Sequence, residues 1–122
     1  MSPDSGKNNV SELDICTSLS KSVLSFPGII SMEEDSAGKA RDILSRDITV
    51  FDGIRLTKKN EGPIIDVFVV VEFGTQIPKL AWELQKQIES DIMTLTGKGP
   101  KEVNIHIEGV SSKEHIHEQA KS

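Results

Sequence analysis

The chain has few aromatic residues, a single cysteine and no long apolar run. Its 122 residues include four Phe, one Trp and no Tyr, so aromatic residues make up only 4% of the sequence. This scarcity argues against a protein that binds single-stranded nucleic acid by stacking bases on aromatic side chains. Cys16 has no second cysteine with which to form a disulfide within the chain. The longest strictly apolar run, at 67–71, is far shorter than the ~20 residues that a membrane-spanning helix needs.

Positive charge is also in short supply. The sequence contains 14 Lys and Arg residues against 19 Asp and Glu residues, which gives a formal net charge of −5. Proteins that coat nucleic acid need clustered basic side chains to neutralise phosphates, so the acidic balance makes nucleic acid an unexpected partner. Residues 1–9 place no apolar segment behind Lys7, so we expect no signal peptide there. We therefore expect a cytoplasmic protein that does not itself insert into a membrane.

The length of the chain and its apolar pattern predict one domain. Polar residues 1–9 indicate a disordered lead-in, and polar residues 111–122 indicate a flexible tail, which leaves 10–110 as a single domain. The segment 33–52 leaves several possibilities open. Helical turns within 37–44 or a long loop would both fit it, and 48–51 could add a short strand.

Two helices are predicted from the spacing of apolar residues. The first is expected at about 11–25, with Ser11 and Asp14 as its capping pair and Pro27 after its end. Its expected inward positions are Leu13, Cys16, Leu19 or Ser20, Val23 and Leu24. The second helix is expected between a cap at Thr75 and a stop at Gly97. Its core face comprises Ile77, Leu80, Ala81, Leu84, Ile88, Ile92 and Leu95.

The predicted strands are a short one at 29–32, a hairpin formed by 54–59 and 64–73, and a closing strand at 103–110. The strand at 64–73 carries Phe68 and Val70 on the face that would otherwise meet solvent. That strand is therefore expected to be central, with part of its second face covered. These elements predict an α+β fold in the order α-β-β-β-α-β, with two helices packed on one face of a small, mostly antiparallel sheet.

None of the residue patterns points to a catalytic, cofactor-binding or metal-binding site. The segment 97–100 contains a Gly-Lys pair but lacks the spacing of a phosphate-binding loop. His115 and His117 form a pair in the polar tail, and His106 lies on the last strand. The spacing fixes no third ligand beside the pair, so these histidines do not predict a metal site. Asp66 and Glu72 share a strand face but stand six residues, ~20 Å, apart, which is too far for joint acid–base work on one bond.

Trp82 and Met93 are the candidate interaction residues, because both project away from the core face of the second helix. One interpretation is that Trp82 folds over its own helix or lies under 36–47. The other is an exposed contact patch for self-association or for a protein partner, since Trp and Met are favoured in interface cores. Phe68 and Val70 add a second candidate surface on the sheet. Packing within the domain is expected to account for all four Phe residues.

Several motifs appear in a characteristic order between residues 23 and 110. They are VLSFPGIISM at 23–32, GIRL at 53–56, IDVFVVVEFG at 65–74, IPKLAWELQ at 77–85, and MTLTG at 93–97 followed by VNIHI at 103–107. Together they resemble the alkaline shock protein family of bacterial envelope-stress proteins. The sequence departs from the family pattern at Phe73, where Tyr is common, and at Trp82, where a polar or small residue is usual.

The resemblance implies a cytoplasmic bacterial protein of the envelope or general stress response, with no enzymatic activity and no cofactor. It further implies a scaffold that forms homo-oligomers and is held near the membrane through a protein partner. The alternative from another class is a KH-like nucleic-acid-binding module, which the α+β pattern permits. The sequence lacks the G-x-x-G loop with which KH modules clamp a nucleic-acid backbone.

Overall fold

The computed structural model describes residues 10–33 and 47–112. The predicted lead-in, most of the 33–52 segment and nearly all of the predicted tail, with His115 and His117, lie outside the described residues. The elements, in chain order, are α1 (Glu12–Leu24), β1 (Ile29–Met32), β2 (Ile48–Phe51), β3 (Ile54–Thr57), β4 (Ile64–Glu72), α2 (Ile77–Thr96) and β5 (Glu102–Ser111). The α+β class is confirmed.

Helix α1 begins with the predicted capping pair. The backbone N–H of Asp14 donates to Ser11 Oγ at 3.0 Å, and the backbone N–H of Ser11 donates to the Asp14 carboxylate at 3.5 Å. Its buried residues are Ile15, Cys16, Leu19, Ser20 and Val23. The inward placement of Leu13 and Leu24 was wrong, because both are about half exposed. The buried stripe is centred on Ile15, Leu19 and Val23. At ~100° per residue Leu13 and Leu24 lie roughly 120° and 140° around the helix from Leu19, outside that stripe.

Helix α2 buries Leu80, Leu84, Ile88 and Ile92 on one face, as its periodicity predicts. Its N-cap is Gln76 rather than Thr75, and no side chain caps it. The helix ends where Gly97 adopts a φ of 83°, which a residue without a Cβ adopts at little cost. Neither α1 nor α2 combines the length and the apolar character that crossing a bilayer requires.

Strand β4 is the centre of a five-stranded sheet. One edge of β4 pairs antiparallel with β3 and then with β1, and the other edge pairs parallel with β5. The parallel pairing follows from α2, which crosses over between the two strands. The sheet is mostly antiparallel, as predicted, and β2 makes the order α-β-β-β-β-α-β. The strand missing from the predicted order is β2, which pairs with β3 across the Asp52–Gly53 turn.

The core lies between the two helices and one face of the sheet. Its residues on β4 are Ile65, Val67, Val69 and Val71, all with no exposed surface. The expectation that packing accounts for all four Phe residues was wrong. Phe73 is 76% exposed and Phe51 is 38% exposed. Strand β4 ends at Glu72, so Phe73 lies in the following turn and no longer alternates onto the core face.

Candidate interaction surfaces

The outer face of α2, which we define as Trp82, Lys86, Glu89 and Met93, turns away from the sheet. Trp82 is 61% exposed and Met93 is 50% exposed. The two residues stand eleven positions apart on the helix, and so about 16 Å along its axis. The Lys86 ammonium lies 5.5 Å from the centre of the Trp82 ring and pairs with Glu89 at 3.7 Å. The face therefore carries two open apolar side chains with a charged pair between them.

Trp82 and Met93 are the side chains of this face that suit contact with another protein, because Trp and Met are enriched in the buried centres of interfaces. Charged residues are depleted there, so the Lys86–Glu89 pair between them is the part of the face that such a contact would have to accommodate. Trp82 lies against Lys86 of its own helix, yet most of its surface remains open to solvent. The alternative that it lies under 36–47 falls almost entirely outside the described residues. A partner with apolar side chains could cover Trp82 and Met93 without disturbing the core face of α2.

The second face of the sheet carries a polar cluster that the sequence did not reveal. We call it the Asp66 cluster, and its members come from three strands: Arg55, Asp66, Phe68, Asn104 and His106. Asp66 stands opposite Arg55 on β3 and opposite Asn104 on β5. Its Oδ1 accepts a hydrogen bond from Asn104 at 3.1 Å and lies 2.8 Å from His106 Nε2. Its Oδ2 lies 3.6 Å from Arg55 Nε.

Asp66 is only 7% exposed, and these contacts explain how a carboxylate is accommodated there. A buried charge is costly unless it is paired and hydrogen-bonded, and both conditions hold at this position. Phe68 stacks on the His106 ring with centres 4.3 Å apart and an angle of 7° between the planes. The Arg55 guanidinium lies 5.3 Å from the centre of the Phe68 ring.

The four predicted interaction residues divide between two layers of the molecule. Trp82 and Met93 lie on the helical side, whereas Phe68 and Val70 lie on the opposite face of the sheet. Phe68 is 6% exposed beneath its ring and guanidinium contacts, and Val70 is partly buried. The structure therefore brings Trp82 and Met93 together on one exposed face and places Phe68 within a packed polar cluster.

Cys16 is fully buried, with its Sγ 4.0 Å from the carbonyl oxygen of Thr49. Burial, together with the negative charge of Glu12, raises the pKa of this thiol to about 12. A thiol held in this state is a poor nucleophile near neutral pH. Among residues 10–33 and 47–112, no group of three or more His, Cys, Asp and Glu side chains is placed to hold a metal ion.

The raised pKa predicts that Cys16 weakens the fold at alkaline pH. The folded-state pKa of about 12 exceeds the ordinary value of 9.0, so the unfolded chain ionises its thiol at a lower pH than the folded protein does. The contribution of Cys16 to the free energy of unfolding is therefore complete below pH 9 and is lost as the pH rises toward 12. Between pH 8 and pH 10 the wild type should lose about 1.4 kcal/mol more unfolding free energy than Cys16→Ala. Urea unfolding at both pH values measures this difference. Equal losses in the two proteins would contradict the prediction.

Comparison with known proteins supports one family. A model of the alkaline shock protein 23 family, described as having a cell envelope-related function, matches residues 2–112. The uncharacterised protein YqhY of Bacillus subtilis is 38% identical over 58 residues, which make up 48% of this chain and 43% of YqhY. The uncharacterised protein YloU of the same organism is 28% identical over 58 residues, 48% of each chain. The aligned segment thus spans less than half the length of these relatives. No solved structure matches the chain significantly.

Proposed function

This chain belongs to the alkaline shock protein 23 family, which has a cell envelope-related function, and from that premise we propose that it is a non-catalytic scaffold. It acts through self-association and through binding of a protein partner. It works in the cytoplasm, in envelope or general stress physiology, and reaches the membrane only through that partner.

The exposed apolar pair on the outer face of α2 carries this proposal. Trp82 and Met93 leave half or more of their surface open to solvent, although the core of the domain is complete without them. Trp is strongly enriched among the residues that dominate binding energy in interfaces. A second copy that places its own Trp82 and Met93 on this face would bury all four side chains.

The opposite side of the domain supports the same choice of surface. The polar atoms of Asp66 already have partners within the sheet, and Phe68 is already stacked. A partner docking on that face would have to cover satisfied polar groups and would gain little apolar contact. The membrane contact is assigned to a protein partner, because a net charge of −5 opposes direct approach to an anionic lipid surface.

Trp82→Ala is expected to weaken self-association about 30-fold or more, because a central Trp in an interface contributes about 2 kcal/mol or more. Multi-angle light scattering across a concentration series measures the shift from the oligomer toward the monomer. Phe73→Ala is the matched control, since Phe73 is 76% exposed but lies outside the α2 face. Self-association that Trp82→Ala leaves unchanged, or a wild type that stays monomeric at the highest concentration, would refute the proposal.

A further inference from the structure

A cleft of about 220 Å³ opens at the end of the domain where the start of α1, the β3–β4 turn and the end of α2 meet. Its floor is aliphatic and includes Ile15 and Leu56, which belong to the core. Three lysines, Lys58, Lys59 and Lys98, line it together with the carboxylate of Glu12. We call this feature the lysine cleft.

The walls of the lysine cleft are held by backbone contacts. The N–H of Lys101 donates to the carbonyl oxygen of Pro63 at 2.8 Å, which joins the loop after α2 to the β3–β4 turn. Gly62 lies so close to this loop that a Cβ on it would come within 2.9 Å of the Gly99 carbonyl oxygen. The Lys98 N–H donates to Thr96 Oγ1 at 3.2 Å, which fixes the backbone from which Lys98 projects. These contacts hold the loop after α2 against the β3–β4 turn and so fix the backbone on both sides of the cleft.

The charge at this end of the molecule is opposite to that of the whole. The described residues carry eight Lys and Arg against thirteen Asp and Glu, yet four of those eight cations, Lys58, Lys59, Lys98 and Lys101, lie at or beside the cleft. Lys58 pairs with Glu12 at 3.8 Å, and Lys101 pairs with Glu61 at 3.5 Å. Within the part of the chain that the structure describes, neither Lys59 nor Lys98 has an ion-pair partner.

We infer that the lysine cleft binds a free single-chain anionic amphiphile, with its alkyl chain on the Ile15–Leu56 floor and its carboxylate or phosphate head between Lys59 and Lys98. Pockets for whole ligands usually measure about 300–1,000 Å³, so this cleft admits a short alkyl segment rather than a ring system. An apolar floor beneath two unpaired cations fits a molecule that has an apolar chain and an anionic head. Monomeric amphiphile is the occupant instead of a bilayer, because the net charge of −5 opposes a large anionic surface but acts weakly on one small anion near two lysines.

The inference is tested by titrating the protein with octyl phosphate below its micelle-forming concentration. Backbone amide shifts in two-dimensional NMR report the binding. Saturable shifts are expected at Gly62, Thr96 and Lys98. The Lys59→Glu/Lys98→Glu variant should bind about tenfold more weakly or worse. Lys21→Glu/Lys79→Glu reverses the same number of charges on exposed helix positions outside the cleft and should bind as the wild type does. Circular dichroism verifies that both variants fold.

Three further probes separate the head from the chain and the free molecule from a membrane. Octanoate should bind at the same amides, whereas inorganic phosphate alone and uncharged octyl glucoside should each bind at least tenfold more weakly than octyl phosphate. Vesicles of anionic phospholipid should not bind the protein at physiological salt. Equal binding of inorganic phosphate or octyl glucoside, unsaturable shifts spread over the surface, equal weakening in the control variant, or tight vesicle binding would each overturn the inference.

Discussion

Replacing Gly53 by alanine is expected to lower the free energy of unfolding by about 2–4 kcal/mol. Gly53 has a φ of +82° and follows Asp52, whose φ is also positive at 49°, so the pair forms the tight turn typical of two-residue hairpins. A Cβ on Gly53 would lie 2.7 Å from the Cβ of Met32 and 3.2 Å from the carbonyl oxygen of Phe68. The substitution therefore adds a steric clash to the cost of a left-handed backbone. Urea unfolding followed by circular dichroism measures the loss.

Gly74→Ala is the matched control for Gly53→Ala. Gly74 also has a positive φ, +91°, but a Cβ there would meet nothing within 4 Å. It should lose only the backbone cost, about 1 kcal/mol. Equal losses in the two variants would show that Met32 and Phe68 yield without cost at Gly53. A larger loss at Gly53 would show that this turn needs glycine because Met32 of β1 and Phe68 of β4 lie so close to it.

Helix α2 and the hairpin were predictable because their signals are local. Four buried residues at a spacing of four positions mark the core face of α2, and the same periodicity places Trp82 and Met93 on its outer face. Strand ends were harder to locate from sequence. The alternation that puts Val67, Val69 and Val71 in the core continues formally to Phe73, but the turn after Glu72 breaks it. Periodicity alone does not mark the last residue of a strand, because a residue just beyond its end can continue the same alternation in the sequence.

The Asp66 cluster could not be predicted, because it depends on pairing between strands that lie far apart in the sequence. Asn104 and His106 are separated from Asp66 by 38 and 40 residues, and only the parallel register of β4 with β5 brings them together. The sequence signal was a charged residue amid the apolar strand at 64–73. A buried carboxylate needs cationic or hydrogen-bonding neighbours. Asp66 therefore predicts that such partners exist, but the sequence does not identify them.

Removing the Asp66 carboxylate is expected to destabilise the domain by about 2–4 kcal/mol, because Asp66→Ala leaves Arg55, Asn104 and His106 without their shared partner. Glu72→Ala is the control on the same face of β4. Glu72 is half-buried at the end of the strand, and its truncation should change stability by about 1 kcal/mol or less. Chemical denaturation of both variants measures the difference. Similar values for the two would mean that the contacts of Asp66 contribute nothing net.

A double-mutant cycle between Asp66→Ala and His106→Ala isolates the strongest of these contacts. The Asp66 oxygen and the His106 ring nitrogen lie 2.8 Å apart. The loss of unfolding free energy in the double variant should therefore be smaller than the sum of the two single losses by about 1 kcal/mol or more. Asp66→Ala should leave the oligomer mass unchanged when it is measured on folded protein, because the cluster and the outer face of α2 lie on opposite layers of the domain. Loss of self-association in folded Asp66→Ala would move the proposed interface from α2 to the sheet.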